Sequence, residues 1–165
     1  MDKRKFIHYG SEFFDLSKFK KVTNSEFVSE KPQPHTGLWA SPINARYGWA
    51  KYCKQNEYNL DKLEKSFTFT LEDTSNVVLI KSLDDLQKLP LCRTFNSKSM
   101  LSAYIDYEEC YNNGIDAIQL YVSSADDELR EAFCTWDSDD IIILNPYIII
   151  PDKKKESGVN EMVLS

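Results

Sequence analysis

Hydrophobic and polar positions alternate with a period of two in short segments of the chain, which is typical of half-buried β-strands. The clearest case is 66–71, where Phe67, Phe69 and Leu71 alternate with two threonines. Other segments are brief apolar runs bounded by turn residues, and these also predict strands. The predicted strands cover residues 5–9, 37–41, 66–71, 76–81, 115–122, 133–136 and 141–145.

Helical spacing is found between these strands. Asn44 fits an N-cap, and Trp49, Tyr52 and Cys53 then recur at intervals of three and four residues, which predicts a helix over 45–55. Ser82 starts a capping-box pattern that predicts a second helix up to residue 89. Further helices are predicted over 99–113 and 125–131, and 12–36 reads as a long loop with one helical turn. Because the strands do not alternate regularly with helices, we expect an α+β fold with a mixed sheet and three or four helices.

The chain has 165 residues, a length typical of one domain. We expect a single domain over residues 1–151. The segment 152–165 contains three consecutive lysines and has the composition of a flexible tail.

Composition excludes several classes of function. The formal net charge is −6, which disfavours non-specific nucleic-acid binding, although a local basic patch could override that average. With only five glycines, the sequence contains neither a dinucleotide fingerprint nor a P-loop. No apolar run approaches the roughly 20 residues that cross a bilayer, and no secretory segment is evident, so no membrane partner is expected.

The four cysteines form no C-x-x-C pair, and the two histidines are far apart in the sequence. A metal site is therefore not expected. Free thiols in a reducing cytoplasm are the default interpretation.

Three clusters carry candidate chemistry, and each has a plain structural alternative. The first is 7–11, where Gly10 follows aromatic residues and lets the backbone turn sharply; the alternative is an ordinary turn with His8 exposed. The second is 37–42 with Tyr47, Trp49 and Tyr52 on the next helix, whose rings could form two walls of a slot for a flat ring; the alternative is core packing.

The third cluster is 136–140, which places three carboxylates in front of an apolar strand. Asp137, Asp139 and Asp140 repel one another if they cluster in a cleft, and a raised pKa is then expected for at least one of them. The alternative is a solvated acidic turn.

In this order, the clusters resemble ADP-ribosyltransferases. Gly-Leu-Trp-Ala-Ser at 37–41 and the helix after it are similar to the Gly-aromatic-small segment of that family. Tyr9, Gly10 and Ser11 lie where the family has His-Gly-Ser or His-Gly-Thr, and Asp140 lies where it has its catalytic glutamate. The chain also resembles small bacterial and phage proteins that contain Gly-Leu-Trp-Ala-Ser-Pro and a Trp-Asp…Asn-Pro ending.

The resemblance implies a split, mostly antiparallel sheet and NAD as the substrate, without a metal. It assigns catalysis to Asp140, with Asp139 as a competitor, and transfer of ADP-ribose to a protein or nucleic-acid acceptor. The residues that it implies for binding NAD are His8, Tyr9, Gly10, Ser11, Trp39, Ser41, Trp49 and Tyr52.

Two departures from the family pattern leave alternatives open. Tyr9 takes the place of the usual histidine, so either a strand bulge presents His8 or the Tyr9 hydroxyl contacts a ribose instead. Asp140 is one methylene shorter than glutamate. An active transferase, a degenerate nucleotide- or protein-binding module of the same fold, and an interaction protein with a surplus of aromatic side chains are therefore all compatible with the sequence.

Overall fold

The computed structural model describes residues 4–24, 36–91, 105–133 and 136–153. These form an α+β domain with a seven-stranded sheet and four helices. The strands are β1 (Phe6–Tyr9), β2 (Leu38–Pro42), β3 (Ser66–Leu71), β4 (Val77–Ile80), β5 (Ala117–Leu120), β6 (Asp140–Ile143) and β7 (Ile149–Pro151). The helices are α1 (Trp49–Asn56), α2 (Leu83–Gln87), α3 (Tyr107–Asn112) and α4 (Asp127–Ala132).

The sheet is mixed and mostly antiparallel. Its strand order is β4-β5-β6-β2-β1-β3-β7, and the described ladders are antiparallel except for the parallel pair β4–β5. Strand β6 lies between β5 and β2, and all four of its residues are buried. An apolar run is expected of a central strand that is covered on both faces.

Both faces of the sheet are packed. Ile142 belongs to one buried cluster, which α2, α3 and α4 cover, whereas Ile141 and Ile143 belong to a second cluster with Phe6 and Phe69. This division follows from the alternation of side chains along a strand. Burying both faces holds the central strands, and the ends of those strands carry the candidate site.

The sheet divides between β1 and β2. Strand β1 pairs with β3 at four positions, but it pairs with β2 only at Phe6↔Pro42 and Ile7↔Ser41. Beyond Ile7, the half-sheet β4-β5-β6-β2 and the half-sheet β1-β3-β7 are no longer joined by a β-ladder. A gap therefore opens beside the end of β1.

Several predicted elements differ from the observed ones. Helix α1 begins at Trp49 instead of residue 45, and Gly48 is its N-cap, so the assignment of that cap to Asn44 is wrong. Phe133 ends α4 instead of starting a strand, and residues 134–135 of that predicted strand lie outside the described residues. Of the predicted helix over 99–113, residues 99–104 also lie outside, and Tyr107–Asn112 is helical.

Asp152, the first residue of the predicted tail, contacts β3 and Lys5. The Asp152 backbone N–H donates to the Thr68 carbonyl at 2.9 Å, and the Asp152 carboxylate lies 3.2 Å from Lys5 Nζ. These contacts hold the start of the predicted tail against β3, whereas residues 154–165 lie outside the described part of the chain. The described helices are all too short, or too polar, to cross a membrane.

Candidate functional site

A cavity of about 300 Å³ lies where the two half-sheets separate. It brings together β1, β2, the start of β6, the start of α1 and the turn before β6, although these segments are widely spaced in the sequence. Five of the predicted site residues line it: His8, Tyr9, Trp39, Trp49 and Asp140.

Asp140 is the buried carboxylate of this cavity. Ser41 Oγ donates to Asp140 Oδ1 at 2.7 Å, and Ser138 Oγ donates to Asp140 Oδ2 at 2.6 Å. Burial raises the pKa of Asp140 to about 6, and the two serine hydrogen bonds oppose that rise. The neighbouring Asp139 and Asp137 contribute less, so the raised pKa expected from like charges has burial as its first cause. The carboxylate is still mostly ionised at neutral pH.

Ser41 also fixes the start of α1. Its hydroxyl oxygen accepts a hydrogen bond of 2.9 Å from the backbone N–H of Trp49, the first residue of α1, whose N–H has no acceptor within the helix. Gly48 permits this approach, because a Cβ at that position would lie 3.3 Å from Ser41 Cβ. One serine on β2 thus positions both the catalytic candidate Asp140 and the aromatic wall that Trp49 forms.

His8 spans the gap between the half-sheets. Its Nδ1 lies 2.6 Å from the Trp39 carbonyl oxygen, which can only accept, so Nδ1 carries the hydrogen. Burial lowers the pKa of His8, and the ring is therefore neutral at pH 7 with Nε2 unprotonated. His8 thus brings a hydrogen-bond acceptor to the cavity, and Phe67 packs against its ring at 5.2 Å.

Tyr9 and His8 both line the cavity, and no bulge is needed to bring them there. The register between β1 and β3 is continuous from Phe6↔Phe69 to Tyr9↔Ser66. The two side chains lie on opposite faces of β1. Both line the cavity because β1 has no ladder pairing with β2 at these two residues. Burial raises the pKa of Tyr9, which keeps its hydroxyl a neutral donor at physiological pH.

Aromatic side chains form much of the remaining wall. Trp39 meets Trp136 edge to face, with ring centroids 4.8 Å apart. Trp49 faces the cavity, and Tyr52 stacks on it at 5.3 Å without itself lining the cavity. Tyr52 therefore supports a wall instead of forming one.

Asp139 has a different environment from Asp140. It is fully buried and is not among the residues that line the cavity. Its carboxylate accepts hydrogen bonds from the Tyr47 N–H at 3.0 Å, the Ser123 N–H at 2.8 Å and the Ser123 hydroxyl at 2.7 Å. The geometry favours Asp140 for contact with a ligand and gives Asp139 a structural role.

Gly10 and Ser11 lie outside the cavity lining. Gly10 has the positive φ of 110° that a sharp turn requires, but its N–H donates to the Lys65 carbonyl at 2.8 Å. The resemblance implies that backbone groups such as those of Gly10 bind the nicotinamide amide, but this N–H already has a partner within the protein.

Sequence reasoning missed several residues of the site. Ser138 lies two positions before Asp140, and period-two alternation would have placed both on one face. Asn59 and Lys62 come from the turn after α1, and no local pattern pointed to them. Trp136 and Asp137 were recognised as part of the acidic cluster but not as cavity wall.

Among the described residues, no group of three or more His, Cys, Asp or Glu side chains is arranged to hold a metal ion. The chain matches no protein-family model, no curated protein and no solved structure. The cavity itself is therefore the basis for inferring what this protein does.

Proposed function

We propose that this protein binds NAD in the cavity between the half-sheets and cleaves the bond between nicotinamide and its ribose, transferring ADP-ribose to a macromolecular acceptor. The observation that carries the proposal is the convergence of His8, Trp39, Trp49 and Asp140 in one cavity. These residues belong to the clusters that resemble ADP-ribosyltransferases, and the clusters are widely separated in the sequence.

The reaction needs one negative charge and little else from the protein. As the C1′–N1 bond breaks, its electron pair moves to nicotinamide, which leaves neutral, and positive charge develops on the ribose ring. Asp140 stabilises that charge electrostatically and accepts a hydrogen bond from a ribose hydroxyl. The acceptor then attacks C1′ and releases its proton to solvent.

The other residues have binding roles in this proposal. Trp39 and Trp49 hold the nicotinamide ring, since aromatic contacts contribute about 0.5–1.5 kcal/mol beyond burial. His8 Nε2 accepts a hydrogen bond from the substrate, and the Tyr9 hydroxyl donates one. Ser41 and Ser138 orient the carboxylate, because each of its oxygens already accepts one hydroxyl hydrogen bond.

Nicotinamide release from NAD, followed by chromatography, tests the proposal. We expect Asp140→Asn to reduce release at least tenfold, which corresponds to about 1.4 kcal/mol of lost transition-state stabilisation. Asp84→Asn is the matched control, because Asp84 is an exposed carboxylate on α2 outside the site. Equal activity in wild type and Asp140→Asn would remove the carboxylate from the mechanism.

A second candidate is a module that binds NAD or another nucleotide without turnover. It is favoured by the short side chain of Asp140, both of whose oxygens already accept a hydrogen bond from a buried serine. Calorimetric titration with NAD separates the candidates. Heat with nicotinamide release supports the transferase, heat without release supports the binding module, and no heat contradicts both in favour of a protein-interaction role.

A further inference from the structure

A second cavity, of about 530 Å³, lies next to the proposed NAD site and shares Trp136 with it. Arg46, Lys51 and Arg130 line it, together with Tyr47 and Ser123. A ligand in this cavity contacts the opposite side of a wall of the NAD site, which is a suitable place for an acceptor.

The charged residues in the described lining of this cavity are all cations, although the chain carries 26 acidic and 20 basic residues. Within the described part of the chain, none of the three forms an ion pair. Lys51 Nζ donates to the Arg46 carbonyl at 3.4 Å, and Arg130 Nε donates to the Val122 carbonyl at 3.2 Å. A neutral carbonyl thus accepts from each of Lys51 and Arg130, and no described carboxylate forms an ion pair with any of the three cations.

The walls of the cavity are joined by a buried group. Asp139 accepts hydrogen bonds from the backbone of Tyr47 on one wall and of Ser123 on the other. Because Asp139 is fully buried, this connection is part of the core and not a surface contact. The cationic residues are therefore presented by a fixed frame.

The positive charge continues along α1 into a third cavity, of about 460 Å³. Lys51 lines both cavities, and Lys54 lines the third together with Tyr9 and Trp49. In the described lining of the third cavity, lysines are again the only charged residues. Arg46, Lys51, Lys54 and Arg130, which we call the cationic surface, thus adjoin the NAD site through two neighbouring cavities.

We infer that the cationic surface binds the phosphate backbone of a single-stranded nucleic acid, and that this strand is the acceptor of ADP-ribose. Its role as acceptor rests on the proposed function, whereas its binding does not. The phosphates of a strand match a group of cations that form no ion pair within the described part of the chain, and a flexible strand enters concave cavities more readily than a rigid duplex. Tyr47, which lines the same cavity and has Lys51 Nζ 5.8 Å from its ring centroid, adds an aromatic side chain of the kind on which bases stack.

Fluorescence anisotropy with a labelled single-stranded oligonucleotide of 12 nucleotides tests the binding. We expect the triple variant Arg46→Gln, Lys51→Gln and Arg130→Gln to bind at least tenfold more weakly than wild type. Its slope of log affinity against log salt should be smaller by about 2, since each phosphate contact on a single strand contributes about 0.7. Glutamine retains much of each aliphatic stem, and thermal melting confirms that the variant is folded.

The matched control is Lys18→Gln, Lys20→Gln and Lys81→Gln, which removes three exposed lysines outside the cationic surface. We expect its affinity to stay within twofold of wild type. Absence of binding at low salt would overturn the inference, as would equal weakening in the control. Binding of polyglutamate as tight as that of the oligonucleotide would instead indicate an acidic protein partner.

Two further arms separate this inference from the proposed function. In one arm, pyrophosphate competes with the oligonucleotide at the same concentration of phosphate groups. If pyrophosphate displaces the strand, the cationic surface binds a small diphosphate group, which contradicts the inference. Nicotinamide release from NAD without an acceptor reports the proposed function alone. An oligonucleotide that binds but gains no mass with NAD in an active preparation would refute its role as acceptor only.

Discussion

Ser41 and Asp140 are joined by a hydrogen bond of 2.7 Å although 99 positions separate them in the sequence. The Ser41 hydroxyl oxygen also accepts from the Trp49 N–H, so one buried side chain connects β2, β6 and the start of α1. The position of the carboxylate and the position of the aromatic wall are therefore not independent. A change at Ser41 displaces both.

Asp140→Asn should make the protein more stable at neutral pH. The folded-state pKa of about 6 lies above the ordinary value of 3.8, so ionising this buried group opposes folding. The contribution of protonated Asp140 to the free energy of unfolding is fully present below pH 3.8 and is lost as the pH rises through about 6. The difference corresponds to about 3 kcal/mol. Urea unfolding at pH 7.5 should show the variant more stable by up to that amount, with the gap closing by pH 4. A less stable variant at pH 7.5 would show that burial does not disfavour the charge.

Ser138→Ala should shift the pH dependence of activity. The Ser138 hydroxyl favours the charged form of Asp140, so its loss raises the carboxyl pKa above 6. In the proposed reaction, nicotinamide release needs ionised Asp140, and the acid limb of the pH profile should move upward by on the order of one pH unit. Ser124→Ala is the control, because Ser124 is exposed and its hydroxyl donates to the Tyr121 carbonyl at 3.5 Å. An unmoved acid limb would mean that Ser138 does not tune Asp140.

Substitutions of His8 should distinguish the role of Nδ1 in stability from the role of Nε2 in NAD binding. His8→Asn keeps a donor near the Nδ1 position for the Trp39 carbonyl but removes Nε2, whereas His8→Ala removes both. We expect His8→Asn to weaken NAD binding about tenfold with little change in melting temperature. His8→Ala should also lower stability by about 1–3 kcal/mol, because the partly buried Trp39 carbonyl loses its donor. Calorimetry and thermal melting of both variants measure the two effects, and unchanged NAD affinity in His8→Asn would exclude a ligand role for Nε2.

Asp139→Asn should destabilise the protein, opposite in sign to its neighbour. The Asp139 oxygens face only donors, and an amide group in their place would direct its own hydrogens at a backbone N–H. Loss of charge-assisted hydrogen bonds to a buried group costs about 1–3 kcal/mol. Urea midpoints measured beside those of Asp140→Asn give the comparison. Stabilisation by both substitutions would mean that the two carboxylates share one environment.

The strands were largely predictable because their signal is local. Alternation in 66–71 and the apolar run after Asp140 both correspond to observed strands. The start of α1 was not predictable in the same way. The N–H of its first residue donates to Ser41 on β2, and the N–H of Tyr47 in the preceding turn donates to Asp139. Both partners are distant in the sequence, so no local pattern indicates them.

The residues of the candidate site also differ in whether a local signal indicates them. Residues that combine chemistry with a strand end, such as Trp39 and Asp140, could be identified one by one. The cationic surface could not, because Arg46 and Arg130 become neighbours only through the packing of the segments that Asp139 joins. Composition disfavoured such a surface, although a net charge of −6 gives no information about a local excess of cations.

The central place of β6 also determines when a growing chain can become functional. Strands β1, β2 and β3 are complete by residue 71, yet the free edge of β2 gains its neighbour only after residue 143 has been made. Until then, that edge exposes unpaired backbone groups, which favour intermolecular pairing. A nascent or truncated chain ending before Asp140 therefore lacks the carboxylate and carries an aggregation-prone edge. Insertion of β6 between β5 and β2 both covers that edge and completes the candidate site.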